Sequence, residues 1–322
     1  MTEGEFYVGN DLDVIISEGE SYTVEFKENP DKDLSLEVCA FANASGGKVY
    51  SRVRYDEIIR DDLPIDERFN ETAYKRYIKT AKISDVLERE AILKNLNCAG
   101  VSSGKLCFTN AGALFFRVND EDVLFRHAGI VCALYKGTDK EDILDAKELN
   151  GGIVDNVDDA IVFLKKHLRI SYKINGLRRE NILELPEDAL REAVVNAVCH
   201  RDYFEKGARV MVEIFDDRVD IVSPGGLCKG ITSKNFGDVS ITRNSIIASM
   251  FFRIDYIEQM GTGIRRMRKA TREANVAEPE FEFSGFFKVT FKRNDVDFSI
   301  GRQSVVNRSR LRIGSAPLPR SS

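Results

Sequence analysis

The sequence predicts an α+β protein, on three observations. Residues 210–215 and 218–223 alternate as strands around Asp216-Asp217, a hairpin signal. Residues 281–283 and 286–291 form a second strand pair joined near Gly285. Residues 151–169, and the segment opened by Leu185-Pro186-Glu187-Asp188, instead carry helical spacing.

Taken in chain order, residues 21–27 (SYTVEFK) alternate like a strand and 34–44 have helical spacing. Ser45-Gly46-Gly47 stops that segment, and a strand begins at 48–50. Residues 1–50 therefore read as a strand–helix–glycine–strand unit that is cut short. Residues 51–115 read as mainly helical and charged, with an apolar helical patch at 91–96. After Ser103, KLCFTNAGALFF reads as a strand followed by a small-residue helix. Residues 123–138 have strand character. The amphipathic helix of 151–169 ends in Lys165, Lys166 and His167, where the helix dipole favours cations. The helix opened at 185–188 runs to His200. After the first hairpin come Pro224-Gly225-Gly226, a helical stretch at 246–252, and Gly261-Thr262-Gly263 opening a basic helix. The expected organisation is a unit at 1–50, a mixed connecting region at 51–175, a C-terminal unit at 176–293, and a disordered tail at 294–322 rich in Ser, Arg, Gly and Pro.

A chain of 322 residues has room for two or three domains. Its 43% hydrophobic and 31% charged residues fit a globular protein. No apolar run approaches the roughly 20 residues of a membrane-spanning helix, and the polar, acidic N-terminus does not read as a signal peptide. The six cysteines form no CxxC pair and read as reduced thiols of a cytoplasmic protein. Three histidines leave no Cys/His metal cluster in view. A net charge of −5 argues against nucleic-acid binding through overall positive charge. Two local basic candidates remain: Arg265, Arg266, Arg268 and Lys269, and the tail arginines Arg302, Arg308, Arg310, Arg312 and Arg320.

Three features in order suggest a site. Glu192 and Asn196 are four residues apart on one helix and so share a face. A carboxylate and a carboxamide projecting together can hold a water and a Mg²⁺ ion beside phosphate oxygens. Ala193, Val194, Ala197 and Val198 surround the pair and place it at the border of a buried face, where polar groups need partners. Gly225 and Gly226 end a strand and let a flat ring or a phosphate approach the backbone, although ordinary turn duty would also call for glycine there. Gly261, Thr262 and Gly263 precede a helix whose free N–H groups form an anion site, with turn duty again the alternative.

ALREAVVNAVCHRDY (189–203), EIFDDRVDIVSPGGL (213–227) and YIEQMGTGIRRM (256–267), with Asn244 in ITRNSIIA, resemble the C-terminal ATPase-like module of the RecG-related transcriptional-regulator family. The likeness runs over 51–292. That module is similar to the Bergerat (GHKL-type) ATPase fold of gyrase, MutL, heat-shock chaperones and histidine kinases. The resemblance implies a C-terminal α/β sandwich, a mixed sheet covered by helices, that binds ATP with Mg²⁺. It implies Glu192 as general base and Asn196 as magnesium ligand. Gly225 and Gly226 correspond to a first glycine box, Gly261, Thr262 and Gly263 to a second over the phosphates, and Asn244 also fits the nucleotide-site pattern. The first box usually opens with an Asp that accepts from the adenine amino group. Ser223 stands there instead, and its hydroxyl pairs more weakly than a carboxylate. The run His200-Arg201-Asp202-Tyr203 is a family hallmark, with His200 open to two readings, a phosphate contact or a capping or core histidine.

EGESYTVEFKE (18–28) and VCAFANASGGKVY (38–50) resemble the start of the AlbA-like domain shared with Schlafen proteins. Glu20 and Glu25 match two acidic positions that some Schlafen relatives use for metal-dependent RNA cleavage; the third has no counterpart, and two carboxylates rarely build a two-metal site. Relatives usually continue into a winged helix, whose apolar periodicity the tail lacks. The family context implies an ATP-binding transcriptional regulator with DNA as a partner and a homodimer as its assembly, its ATPase activity weak. The alternative is a DNA-associated scaffold with a degenerate nucleotide site. With no GxxxxGK[ST] phosphate loop, the sequence does not read as a helicase motor.

Overall fold

The computed structural model describes residues 54–84, 86–118, 123–175, 178–228, 230–239, 241–257 and 262–293, together with two short strands nearer the N-terminus. Those strands, β1 (Val24–Lys27) and β2 (Lys48–Ser51), pair in parallel with Val24 opposite Lys48. The helical reading of 34–44, Glu20, Gly261 and the tail from 294 lie outside the described residues, as does the side chain of Glu25.

The region expected to be mainly helical is instead mixed. β3 (Ile59–Pro64), helix α1 (Glu71–Thr80), helix α2 (Arg89–Asn95), β4 (Ala99–Ser102), β5 (Lys105–Thr109) and helix α3 (Asn110–Phe116) follow one another. The strands form an antiparallel sheet in the order β3-β5-β4. The run Arg60-Asp61-Asp62, within the stretch expected to be mainly helical, lies on an edge strand, where charges guard against unwanted pairing. The helices have local stop and start signals. Asn70 Oδ1 accepts from the Ala73 N–H at 3.0 Å to cap α1, and Thr109 Oγ1 accepts from the Gly112 N–H at 3.1 Å to cap α3.

Val123–Ala128 forms 3-10 turns rather than the strand expected from 123 onward. Then come β6 (Ile130–Lys136), β7 (Asp142–Leu149), helix α4 (Ile153–His167) and a hairpin of β8 (Ile170–Asn175) and β9 (Arg178–Leu183). Helix α5 (Glu187–Cys199), β10 (Val210–Ile214), β11 (Arg218–Pro224), helix α6 (Ser245–Arg253), helix α7 (Gly263–Glu273), β12 (Glu280–Phe283) and β13 (Phe286–Lys292) complete the chain order.

The result is a mixed α+β fold around one six-stranded sheet of order β12-β13-β11-β10-β6-β7. Its pairings are antiparallel except β6 with β10, which run parallel from Ile130 opposite Val210 to Leu134 opposite Ile214. The sheet therefore crosses the boundary expected at residue 176. One face is apolar. Val212, Ile214, Val219 and Ile221 are fully buried beneath α4 and α5, each contributing about 1.5–3 kcal/mol by removal from water. The other face is a layer of paired charges, with Lys140 Nζ 2.5 Å from Glu213 and Arg218 Nε 2.9 Å from Asp220. The first region joins the same core. Phe115 packs on Phe251 at 5.3 Å between ring centres, and Tyr77 Oη donates to the Met250 carbonyl at 3.0 Å. Asp56 reaches 190 residues along the chain to cap α6, its Oδ2 accepting from Ile246 N–H at 2.6 Å. No helix among the described residues is long and apolar enough to cross a membrane.

Candidate functional site

Acidic Glu187 and Asp188 occupy the first turn of α5, where the helix dipole favours them. The helix buries Ala193, Val194, Ala197 and Val198, which brings Glu192 and Asn196 to the seam with α7. Asn196 Nδ2 donates to Glu192 Oε1 at 3.1 Å. Glu192 is only 5% exposed, and Arg266 Nη1 stands 3.5 Å from its Oε2. The sequence permits this closeness at one residue. A Cβ on Gly263 would fall 2.1 Å from Glu192 Oε1 and 3.1 Å from Asn196 Nδ2. Glycine therefore lets α7 begin directly against the carboxylate, where the positive end of its dipole favours the charge.

The far wall is the end of β11. Ser223 is buried, and its Oγ donates to the Ala197 carbonyl at 2.7 Å, tying the strand to α5. Gly225 adopts φ +97°, a conformation side chains disfavour, and a Cβ on Gly226 would lie 2.5 Å from the Ser284 carbonyl oxygen. Both glycines are thus required by backbone packing, whatever else they contact. Arg243 fastens this turn, donating to the carbonyls of Gly226 at 2.9 Å and His200 at 3.0 Å.

The His200–Tyr203 run acquires separate duties. The His200 imidazole lines the cavity; burial, then the Arg243 charge, holds its pKa down at about 4, so it is neutral at neutral pH. Arg201 is fully buried and donates to the carbonyls of Asp202, Glu205 and Ala208, which shapes the following loop. Asp202 accepts from the Phe204 N–H and faces Arg243 at 3.5 Å. Tyr203 Oη donates to the Val198 carbonyl.

Between these walls lies a largely apolar cleft of about 800 Å³ including its open mouth. Asn196, His200, Ser223, Gly225, Gly226 and Gly263 all line it. So do Cys228, Phe236 and Met267, none of which carries a local signal that would mark it as a site residue. Phe236 holds the covering loop down by packing on Phe283 at 4.7 Å and Phe281 at 5.1 Å. Asn244 is not brought to the lining. Its Nδ2 donates to the carbonyls of Cys199 and Arg201, so the amide ties the start of α6 to the end of α5. Glu192 stands behind Asn196 rather than on the cavity wall.

Thr262 directly precedes α7. Thr262 makes no side-chain cap, and its Oγ1 is buried without a hydrogen-bond partner. Farther along, the cations expected to form a nucleic-acid patch are paired: Arg265 with Asp238, Arg266 with Glu192, Arg268 with Glu278 and Lys269 with Glu273. Among the described residues no group of three or more His, Cys, Asp or Glu side chains converges as a metal cage.

Residues 207–291 match the family model described as "Putative ATP-dependent DNA helicase recG C-terminal". This stretch is thus similar to a RecG-related ATPase-like domain. The ATPase-like match takes in β10 through most of β13, with Ser223, both glycine pairs and Asn244, and begins after α5. Among solved structures, the DIP2311 protein from Corynebacterium diphtheriae is similar in fold, with a TM-score of 0.62 and 19% identity over 79% of this chain and 49% of that one. The chain spans about half the length of that protein. No curated protein matches it.

Proposed function

We propose that the cleft binds ATP with Mg²⁺ and that the protein is an ATP-binding transcriptional regulator. The observation that carries this reading is the orphan Thr262 hydroxyl at the uncapped start of α7, next in sequence to Gly263, which lines the same cleft as Asn196 and Ser223. Phosphate oxygens would satisfy that hydroxyl and the free N–H groups of the first turn. Asn196 has its amide nitrogen committed to Glu192, which leaves the oxygen as a hard ligand for Mg²⁺. Magnesium would there neutralise phosphate charge. Ser223 has its proton committed to Ala197, so its lone pairs meet the cavity as an acceptor. An acceptor suits the amino group of adenine and opposes the carbonyl that guanine carries at the same position.

Calorimetric titration of ATP, GTP and ADP with and without Mg²⁺ tests the reading. The wild type is expected to bind Mg·ATP in preference to GTP. Asn196→Ala is expected to lose about tenfold in affinity with Mg²⁺ present, the scale of one interaction with a charged group. Absent binding, or binding equal in both proteins and indifferent to Mg²⁺, refutes it.

A further inference from the structure

The three histidines differ in what their rings meet. His127 Nε2 lies 3.3 Å from the Tyr55 hydroxyl, and His167 Nε2 lies 2.9 Å from Asp145 Oδ2. Among the described residues nothing hydrogen-bonds the His200 imidazole, and that ring lines the cleft. Polar groups withdrawn from water are nearly always paired, so a ring nitrogen facing an apolar cleft marks a place for a ligand atom. Its position on α5 says which part of the ligand. Asn196 lies at the end of the cleft where α7 begins, since a Cβ on Gly263 would fall 3.1 Å from its Nδ2. His200 stands one turn farther on, about 6 Å along the helix axis. There the neighbours belong to the opposite wall. Ser223 Oγ donates to the Ala197 carbonyl, the Asp202 N–H donates to the Pro224 carbonyl at 2.8 Å, and Arg243 joins the Gly226 and His200 carbonyls. His200 is therefore at the Ser223 end of the cleft, away from the start of α7.

We propose that His200 reads the base of the nucleotide beside Ser223, its ring N–H donating to a ring nitrogen next to the adenine amino group. The inference rests on the nucleotide reading above. Adenine carries a donor, its amino group, with an accepting ring nitrogen on either side, N1 and N7. The Ser223 lone pairs meet the amino group, and the neutral imidazole keeps one N–H for the acceptor alongside. Guanine has a carbonyl in place of the amino group, which opposes the Ser223 contact. Its N1 also carries a hydrogen, so a His200 contact on that side would be opposed with it.

Titrations of ATP, ADP, 1-deaza-ATP and 7-deaza-ATP with Mg²⁺, and of adenosine in competition with Mg·ATP, test this in the wild type, His200→Phe and His200→Gln. His200→Phe keeps a ring in place and removes the N–H. It is expected to weaken ATP, ADP and adenosine alike by about fivefold, the scale of one hydrogen bond. His200→Gln, which retains an N–H donor, is expected to recover part of that loss. The deaza nucleotide that lacks the nitrogen His200 meets is expected to bind the wild type about fivefold more weakly than ATP and to lose nothing further in His200→Phe. That insensitivity is a readout a purely structural histidine would not produce, because a distorted cleft weakens every ligand. A loss confined to ATP and ADP, with adenosine spared, overturns the proposal in favour of a phosphate contact. Undiminished ATP affinity in a folded His200→Phe, judged by its melting temperature, overturns it too, as do equal losses for ATP and both deaza nucleotides. Each of these results leaves the nucleotide site standing; wild-type protein that binds none of the nucleotides sinks both readings.

Discussion

Acidification from pH 6.5 to 4.5 is expected to destabilise the fold by about 2 kcal/mol for each of two buried imidazoles. His127 lies against the Tyr55 hydroxyl at 3.3 Å, and burial, with the charges of Arg201, Lys206 and Arg60, lowers its pKa to about 4. His200 is lowered to about 4 by burial and Arg243. An unfolded imidazole titrates near 6.5, so between these values the unfolded chain binds more protons than the folded one. The stabilisation is complete above pH 6.5 and is lost as pH falls toward 4. Carboxylates held low by cations, such as Asp145 beside Lys166 and His167 and Glu187 beside Lys165, give up their contribution only below the ordinary carboxylate range. Asp56, whose carboxyl burial holds above its ordinary range, works in the opposite sense on acidification, so the histidine share is read as the difference between wild type and variant. Melting temperatures over the same acidification should fall for the wild type, with a shallower slope in His127→Gln. A wild-type slope no steeper than the variant's would show that the His127 imidazole is not held neutral by the fold.

Arg201→Ala is expected to destabilise the protein by about 3 kcal/mol, the range for removing a buried charged donor from several partners. The guanidinium carbon lies over the Tyr203 ring, 4.9 Å from its centre, and Tyr203 stacks on Tyr55 at 5.2 Å between ring centres. Deletion leaves three carbonyls without their donor and a void against the Tyr203 ring. Arg201→Lys should recover little, since an ammonium cannot span three acceptors arranged for a planar fork. Urea unfolding midpoints measure the loss; a change below about 1 kcal/mol would mean that water replaces the arginine.

The elements legible in the sequence are those whose signal is local. α5 announces itself by its opening acidic turn and apolar spacing, and β10–β11 by alternation around Asp216-Asp217. Local signals likewise picked out Asn196, Ser223, Gly225, Gly226 and Gly263, all of which line one cleft. Long-range pairing left no such mark. Nothing in residues 130–136 says that they lie parallel to a strand 80 residues later, and Asp56 reads as one more surface acid until α6 is folded against it. Charge alone did not place these elements. The acids of β3 fall in a stretch expected to be mainly helical, and the arginines of α7, a candidate basic patch, face carboxylates that lie elsewhere in the sequence. Asn244 was singled out by its place in the family pattern, and its amide is spent on the backbone carbonyls of Cys199 and Arg201, partners that no local signal names.

The parallel seam between β6 and β10 has a practical consequence for anyone dissecting the protein. A recombinant fragment that starts at residue 176 would carry the ATPase-like match intact and yet leave β10 with one row of amides and carbonyls unsaturated. Val210, Val212 and Ile214 on that strand are apolar, so the bare edge would be a template for sticking to other chains. A soluble fragment has to begin upstream of Ile130, with its own edge strand already in the sequence.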